Sequence, residues 1–461
     1  MRNIGKYRLL GILGYGGMAR VFKVMHLEHK TLMAMKLLRP REMMVHLLGD
    51  AEIRRRFLDE ARMMSELDHP NIAEIHEIGE HADHLFFVQE YFCFNLGMLI
   101  GESEFAEAPS RPLSPFKALN LASQTLDGLA ALHDAGIVHR DIKPANLMLT
   151  RKADVKIIDF GLSRREGSVQ AHPAAMVVGS PYYAAPEQEA DLMSAGPRAD
   201  LYAVGVVLYR MVTGLLPEIS RPEASRYSLP GPEWPAFLKT ALARDPDKRF
   251  SSALSMKNAI KDLRRHWEKR RDHVCRLPKS ENAAARTAPV PASALRSEPV
   301  HTGGKPPPVC TGLNPLFQPL AYTENAFENI GDGTWDRATR LVWGKSVPDQ
   351  PVDLEAAAAF VAGLNRQPTG RKAGPGWRLP TIDELISLLS PRHSLEALCT
   401  PPLAQLRHIA WLWSADMQTH KKNWILDLAQ GAVMPQDRLC RVHVLPVRDA
   451  ADKVDGLFGR P

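Results

Sequence analysis

The sequence predicts a multidomain α+β chain, and three observations predict it. Its 461 residues are long for one core and suit two or three domains. The first part passes from short apolar, strand-like runs into long amphipathic helices, whereas the last third is rich in tryptophan, where the first part has few. Between them, residues 278–314 turn to Ala, Pro, Ser and Gly, including Pro306-Pro307-Pro308. Such a composition buries too little apolar surface to order itself and reads as a flexible linker. The expected division is a first domain over 1–277, strand-rich to about residue 92 and helical over 93–277. The linker over 278–314, a small α+β domain over 315–450 and a tail over 451–461 follow.

In order along the chain, apolar runs from Tyr7 to Leu13 and from Val21 to Met25 read as strands around Gly14-Tyr15-Gly16-Gly17. Gly14 and Gly16 let a backbone approach a phosphate closely because no Cβ intervenes. Alone, such a turn suits a plain hairpin equally well. Met33-Ala34-Met35-Lys36 makes the next strand. Ile53, Phe57, Met64 and Leu67 recur at helical spacing, with Glu60 among them. Leu85-Phe86-Phe87-Val88-Gln89 reads as a buried strand leading to Glu90-Tyr91-Phe92. Leu113-Ser114-Pro115 then opens a helix, since Ser114 can cap it and Pro115 loses no hydrogen bond in the first turn. Leu119, Ala122, Leu126, Leu129 and Leu132 give that helix one apolar face.

The chemistry lies in His139-Arg140-Asp141-Ile142-Lys143-Pro144-Ala145-Asn146, followed by Asp159-Phe160-Gly161. Phosphoryl transfer needs an aligned acceptor, a proton acceptor and bound Mg²⁺, because the transition state is loose and highly charged. Asp141 suits the base. Asn146 and Asp159 offer the hard oxygens that Mg²⁺ prefers.

With these motifs the chain resembles the bacterial eukaryotic-like Ser/Thr protein kinases. The resemblance implies a bilobal protein kinase fold, ATP and Mg²⁺ as cofactors, and proteins bearing Ser or Thr as substrates. It implies that Lys36 holds the α- and β-phosphates, paired with Glu60. Glu52 and Glu66 compete for that pairing, and His69-Pro70-Asn71-Ile72 sets the register in favour of Glu60. Leu13, Gly14, Gly16, Gly17, Val21, Ala34, Glu90, Phe92 and Met148 are implied to surround the nucleotide, with Gln89 as gatekeeper and Ala19 in place of the third glycine. Lys143 is implied to neutralise the transferring phosphoryl, Asp200 to tie down the catalytic loop, and Glu187 to pair with Arg249. In the family Arg140 meets a phosphothreonine of the activation segment, yet no Ser, Thr or Tyr occurs from Val169 to Gly179. Arg140 is therefore expected to pair with Glu166 or to stand in solvent, and Ser180 to replace the threonine that touches the catalytic loop. A pseudokinase scaffold and a small-molecule phosphotransferase are the competing classes. The intact set of ligands opposes the first, and Lys143 with Ala185-Pro186-Glu187 opposes the second.

Further on, Phe327 to Trp343 with Gly331-Asp332-Gly333, Gly376-Trp377-Arg378-Leu379-Pro380-Thr381-Ile382-Asp383-Glu384-Leu385, and Trp411-Leu412-Trp413-Ser414 resemble the Lcl C-terminal domain family. That resemblance implies a small α+β fold akin to C-type-lectin-like and formylglycine-generating-enzyme-like domains, with an unknown ligand or protein partner. The tryptophans are expected as core or edge-packing residues, ahead of a ligand-stacking surface. Asp332 and Asp336 lack the companions of a calcium loop, so no metal is expected there.

The net charge of +6 and pI near 9.0 are mild. Arg264-Arg265, Lys269-Arg270-Arg271 and Arg276 read as a solvated helix end, ahead of a nucleic-acid or lipid contact. No signal peptide or long apolar run is seen, so a cytoplasmic protein is expected. The five cysteines show no paired spacing and are expected as reduced thiols.

Overall fold

The computed structural model describes residues 3–102, 108–150, 154–159, 164–165, 182–190, 195–217, 229–274, 295–366, 376–389, 411–428 and 430–450. The chain forms two compact units, Met1–Pro278 and Lys279–Pro461.

The first unit opens with β1 (Asn3–Ile4), β2 (Tyr7–Tyr15), β3 (Ala19–His26) and β4 (Leu32–Leu38). Helices α1 (Glu42–Leu48) and α2 (Asp50–Ser65) follow, then β5 (Ile75–His81) and β6 (His84–Glu90). The strands form one antiparallel sheet in the order β1-β2-β3-β4-β6-β5. Alternation along each strand sends Tyr7, Phe22, Val24, Met35, Leu37, Phe86 and Val88 into one buried cluster. Helix α2 buries Ile53, Phe57 and Met64 of the apolar stripe read from the sequence, and Ala61 and Glu60 with them, while Leu67 lies half-buried beyond its end.

The helical lobe comprises α3 (Leu96–Ile100), α4 (Pro115–Asp134), α5 (Pro186–Ala190), α6 (Pro197–Thr213), α7 (Trp234–Ala241) and α8 (Ala253–Val274). Short strands β7 (Ile137–Val138), β8 (Leu147–Leu149), β9 (Val155–Ile157) and β10 (Arg164–Arg165) lie between α4 and α5 in sequence. Ser114 caps α4 as expected, its hydroxyl accepting from Lys117 N–H at 3.4 Å. The lobes are tied through Asn71, whose Nδ2 donates to the Val155 carbonyl at 2.9 Å while Ile157 N–H donates to the Asn71 carbonyl. In the basic cluster after α8 begins, Arg264 and Arg265 pair within the helix with Glu268 and Asp262, which fits a solvated helix end. Arg276 lies outside the described residues. Among the described residues no helix is long and apolar enough to cross a membrane.

The second unit contains β11 (Phe327–Ile330), β12 (Gly333–Asp336), β13 (Leu341–Gly344), α9 (Leu354–Leu364), α10 (Ile382–Ser387), β14 (Trp411–Thr419), β15 (Lys422–Asp427), β16 (Ala432–Asp437) and β17 (Val447–Asp449). They make one four-stranded and one three-stranded antiparallel sheet. Trp335, Trp343, Trp413 and Trp424 are buried core residues, whereas Trp377 and Trp411 are half-buried at the edge. Thr381 and Glu384 form a reciprocal capping box on α10. Asp336 is buried and spends its oxygens on Ala326 N–H, Ala338 N–H and the Thr339 hydroxyl, a structural role.

Two expectations are corrected here. From residue 295 the expected linker is an ordered strap on the second unit. Arg296 makes a bidentate pair with the fully buried Asp416 at 2.8 Å, Val300 N–H donates to the same carboxylate, and Trp424 Nε1 donates to the Thr302 hydroxyl. Leu295, Val309 and Leu313 pack on the core. The Pro- and Ala-rich composition hid this because the strap is held by main-chain groups, one arginine, one threonine and scattered apolar residues without a period of their own. Residues 278–294 of the expected linker and the tail 451–461 lie outside the described residues. The second correction concerns thiols: Cys93 of the first unit and Cys440 of the second are each in a disulfide and not reduced, and Cys310 is the free cysteine among the described residues. Spacing along the chain does not reveal pairs made by folding.

Candidate active site

The site is built from β4, α2, the turn after β7, and the residue after β9 with its neighbour. Lys36 sits in β4 between Val21 of β3 and Phe87 of β6, its cross-strand partners. The ammonium therefore emerges from the middle of the sheet, where the backbone is rigid. It contacts the Glu60 carboxylate of α2 at 2.6 Å and the Asp159 carboxylate at 3.1 Å. Glu52 pairs instead with Arg55 and Arg56 on its own helix. Gly14 lies opposite Val21, and Ala34 opposite Gln89, so the glycine-rich strand, Lys36 and the strand before Glu90 form one continuous ledge. The turn of that strand is closed by Gly16 N–H donating to the Ala19 carbonyl at 2.9 Å, and Gly17 gives its carbonyl to Arg41 N–H at 3.0 Å. A Cβ on Gly16 would come within 3.1 Å of that Ala19 oxygen, so the turn itself needs the glycine. Leu13 is exposed, Val21 half-buried, and Met148 makes an isolated antiparallel bridge with Asn95. Glu90 turns its carboxylate to Lys156 at 3.1 Å and its N–H to the Glu74 carbonyl.

On the other wall, Asp141 accepts from the Lys143 ammonium at 2.7 Å and from Asn146 Nδ2 at 2.9 Å. Asn146 Nδ2 also donates to the Asp141 carbonyl at 2.8 Å. With both amide hydrogens taken, the oxygen Oδ1 is the Asn146 atom left to meet a cation. Ile158 N–H donates to the Asn146 carbonyl at 3.1 Å, which couples the position of Asp159 to that of Asn146. The Asp159 side chain keeps 46% of its surface exposed. One carboxylate and one amide oxygen, exposed on one side, fit Mg²⁺, which keeps several waters.

The loop carrying these groups is strained. Arg140 has φ 67° and Asp159 φ 66°, in the left-handed region that costs a side-chain-bearing residue roughly 1–3 kcal/mol. Asp200, fully buried at the start of α6, offsets this by accepting from His139 N–H at 2.9 Å and Arg140 N–H at 2.7 Å. Burial opposes its charge, but the hydrogen bond from His133 at 2.8 Å and the nearby imidazoles hold its carboxyl below the usual range.

One wall of the site thus carries one lysine between two carboxylates, and the other an aspartate, a lysine and an asparagine. Residues 7–262, more than half of the chain, match the family described as protein kinase domain. The chain belongs to the protein kinase family. Residues 333–448 match the Lcl C-terminal domain. The kinase domain is similar to the serine/threonine-protein kinase PrkC of Bacillus subtilis, 35% identical over 56% of this chain and 40% of that protein. It is also similar to pkn3 of Myxococcus xanthus, 32% identical over 63% of this chain and 55% of the relative. PknB of Mycolicibacterium smegmatis is 30% identical over 70% of this chain and 51% of the relative. The chain thus spans about half the length of these curated relatives.

In the kinase domain, Lys36 holds Asp159 well below the usual carboxylate range, to about 2, against the opposing effect of burial. Burial would depress Lys36 in turn, but Asp159 and Glu60 overcome it and hold the ammonium above its ordinary value. Both groups stay charged at neutral pH. Arg249 makes the expected bidentate pair with Glu187 at 2.6 and 2.7 Å and stacks over Tyr202.

Of the two expectations for Arg140, the solvent-exposed one is corrected, and pairing with Glu166 lies outside the described residues. Its guanidinium is buried and donates from Nε and Nη2 to the Ala195 carbonyl at 3.0 and 2.8 Å, so it does not stand in solvent. A main-chain oxygen 55 residues away leaves no trace in the sequence pattern. Ser180 and Glu166 lie outside the described residues. Two residues the sequence reading missed complete the wiring of the kinase domain. Gln188 donates to the Arg140 carbonyl at 2.9 Å while accepting from Ala185 N–H, and His133 at the end of α4 is the residue that meets Asp200. Gln188 follows Ala185-Pro186-Glu187 directly, yet nothing in its spacing marks it.

Proposed function

We propose that this chain is an ATP- and Mg²⁺-dependent protein kinase acting on Ser and Thr of protein substrates in the cytoplasm, with a C-terminal module that senses or recognises a partner. The observation that carries the reading is the pairing of Lys36 with Glu60 and Asp159 opposite Asp141, Lys143 and Asn146 in one cleft. ATP bound there supplies the phosphoryl group. Asp159 and the Asn146 oxygen would hold Mg²⁺, and Lys36, fixed by Glu60, would meet the α- and β-phosphates. Gly14, Gly16 and Gly17 would lie over the phosphates, while Leu13, Val21, Ala34, the Glu90 to Phe92 hinge and Met148 would enclose the adenine. Asp141 orients the acceptor hydroxyl and takes its proton, while Lys143, already on the Asp141 carboxylate, offsets charge on the group in transfer. Ala185-Pro186-Glu187, anchored by Arg249, supports a polypeptide acceptor. The test is transfer from labelled ATP to a generic protein substrate and to lysate proteins, with site mapping. A chain that binds MgATP but labels no protein would instead favour a nucleotide-binding scaffold.

A further inference from the structure

The turn between β3 and β4 carries a cluster that phosphoryl transfer does not use. His26 ends β3, and the chain returns with His26 N–H bonded to the Thr31 carbonyl at 2.9 Å and Lys30 N–H bonded to the His26 carbonyl at 3.0 Å. Lys30 takes φ 54° to close it. This tight turn gathers one donor atom each from His26, Glu28 and His29 within 4.8 Å of one another. The two imidazoles stack with centroids 4.5 Å apart and planes at 25°. His26 is buried, with the edge of Tyr7 against its ring at 5.4 Å, and Tyr7 is itself pinned by its hydroxyl bond to Glu77. Glu28 and His29 are exposed.

We propose that His26, Glu28 and His29 bind a divalent transition-metal ion of the Zn²⁺ and Cu²⁺ class. Two imidazole nitrogens and one carboxylate oxygen suit that class, whereas Mg²⁺ and Ca²⁺ prefer oxygen throughout. Three ligands within four residues need no long-range closure, since the turn has already brought them together. His26 Nδ1 accepts His29 N–H at 3.3 Å, a long contact that a metal bond to that nitrogen would replace. The packed Tyr7 ring fixes the imidazole from behind, the work an outer shell does in a metal site. The exposed side leaves further positions to water.

The test uses the full chain. Cu²⁺ added to one equivalent, in the presence of a competing chelator, should give an electron paramagnetic resonance spectrum with two imidazole nitrogens, and His29→Ala should reduce it to one. Zn²⁺ affinity should fall roughly tenfold or more in His29→Ala and in Glu28→Gln, since ligand loss should cost at least what outer-shell loss does. Both side chains are exposed, so neither variant should disturb folding, and kinase turnover should not change. His420→Ala, which alters another imidazole pair, should leave the first equivalent untouched. The proposal is overturned if His29→Ala and Glu28→Gln bind the first equivalent as tightly as the natural chain, or if the natural chain retains none against the chelator.

Discussion

Asp141 and Asp159 are both carboxylates in one cleft, and their neighbours divide the labour between them. Asp141 rests against Lys143 and Asn146, and Asp159 against Lys36. Asp141→Asn should lower turnover by about 10²- to 10⁴-fold, the usual worth of a positioned base, while nucleotide binding stays close to natural; fluorescent-nucleotide titration beside a transfer assay checks both halves. Lys36→Met should weaken binding and transfer together. Its ion pairs also define a pH dependence. Asp159 is depressed to about 2, so its contribution to stability is present above the ordinary carboxylate range and is lost as pH falls toward 2. Lys36 is raised, so its contribution is full below its ordinary value and is lost only at strongly alkaline pH. The difference in melting temperature between the natural chain and Lys36→Met should therefore be flat from about pH 5 to 9 and shrink below about pH 4. A slope inside that window would contradict the pairing. Gln188→Leu, which removes the donor to the Arg140 carbonyl, should cut turnover about tenfold, or ~1.4 kcal/mol, with little change in the apparent KM for ATP.

At the scale of elements, the strap from Leu295 onward makes the sharpest prediction. Arg296→Ala would leave the Asp416 carboxylate buried without its guanidinium, which costs roughly 3–5 kcal/mol. Denaturant unfolding of residues 295–450 should show that loss. Residues 315–450, lacking the strap, should unfold at clearly lower denaturant than residues 295–450; equal midpoints would mean the strap adds nothing. The same elements show what was legible beforehand. Strands β2 to β4, helix α2 and the catalytic loop were legible because each motif sits on a segment whose own period or turn residues declare it. Lys36 and Glu60, 24 residues apart, could then be paired by register. Arg296 and Asp416 could not: they are 120 residues apart, with no periodic pattern at the strap end. Arg140 and Gln188 escaped for a related reason, since each bonds a main-chain carbonyl, and every residue type carries one.

For the whole molecule, the absence of hydroxyls from Val169 to Gly179 and the burial of Arg140 against the Ala195 carbonyl point the same way. Activity should not require phosphorylation of the central activation segment. Phosphatase-treated protein and a Ser163→Ala, Ser168→Ala double variant should keep most of their activity, measured as initial rates; loss in the double variant with recovery on acidic substitution would refute this. Residues 1–277 should transfer phosphate on their own, with rate or substrate choice altered when the second unit is attached.

The strap also orders events during synthesis. Arg296 leaves the ribosome long before its acceptor Asp416 in β14 exists, and Val300 and Thr302 likewise wait for partners in β14 and β15. Meanwhile every residue of the first unit has already emerged. Domains fold largely as they appear, N-terminal first. The kinase domain can therefore finish folding while the strap still trails as an unpaired thread, and the second unit closes late, drawing that thread in as its strands form.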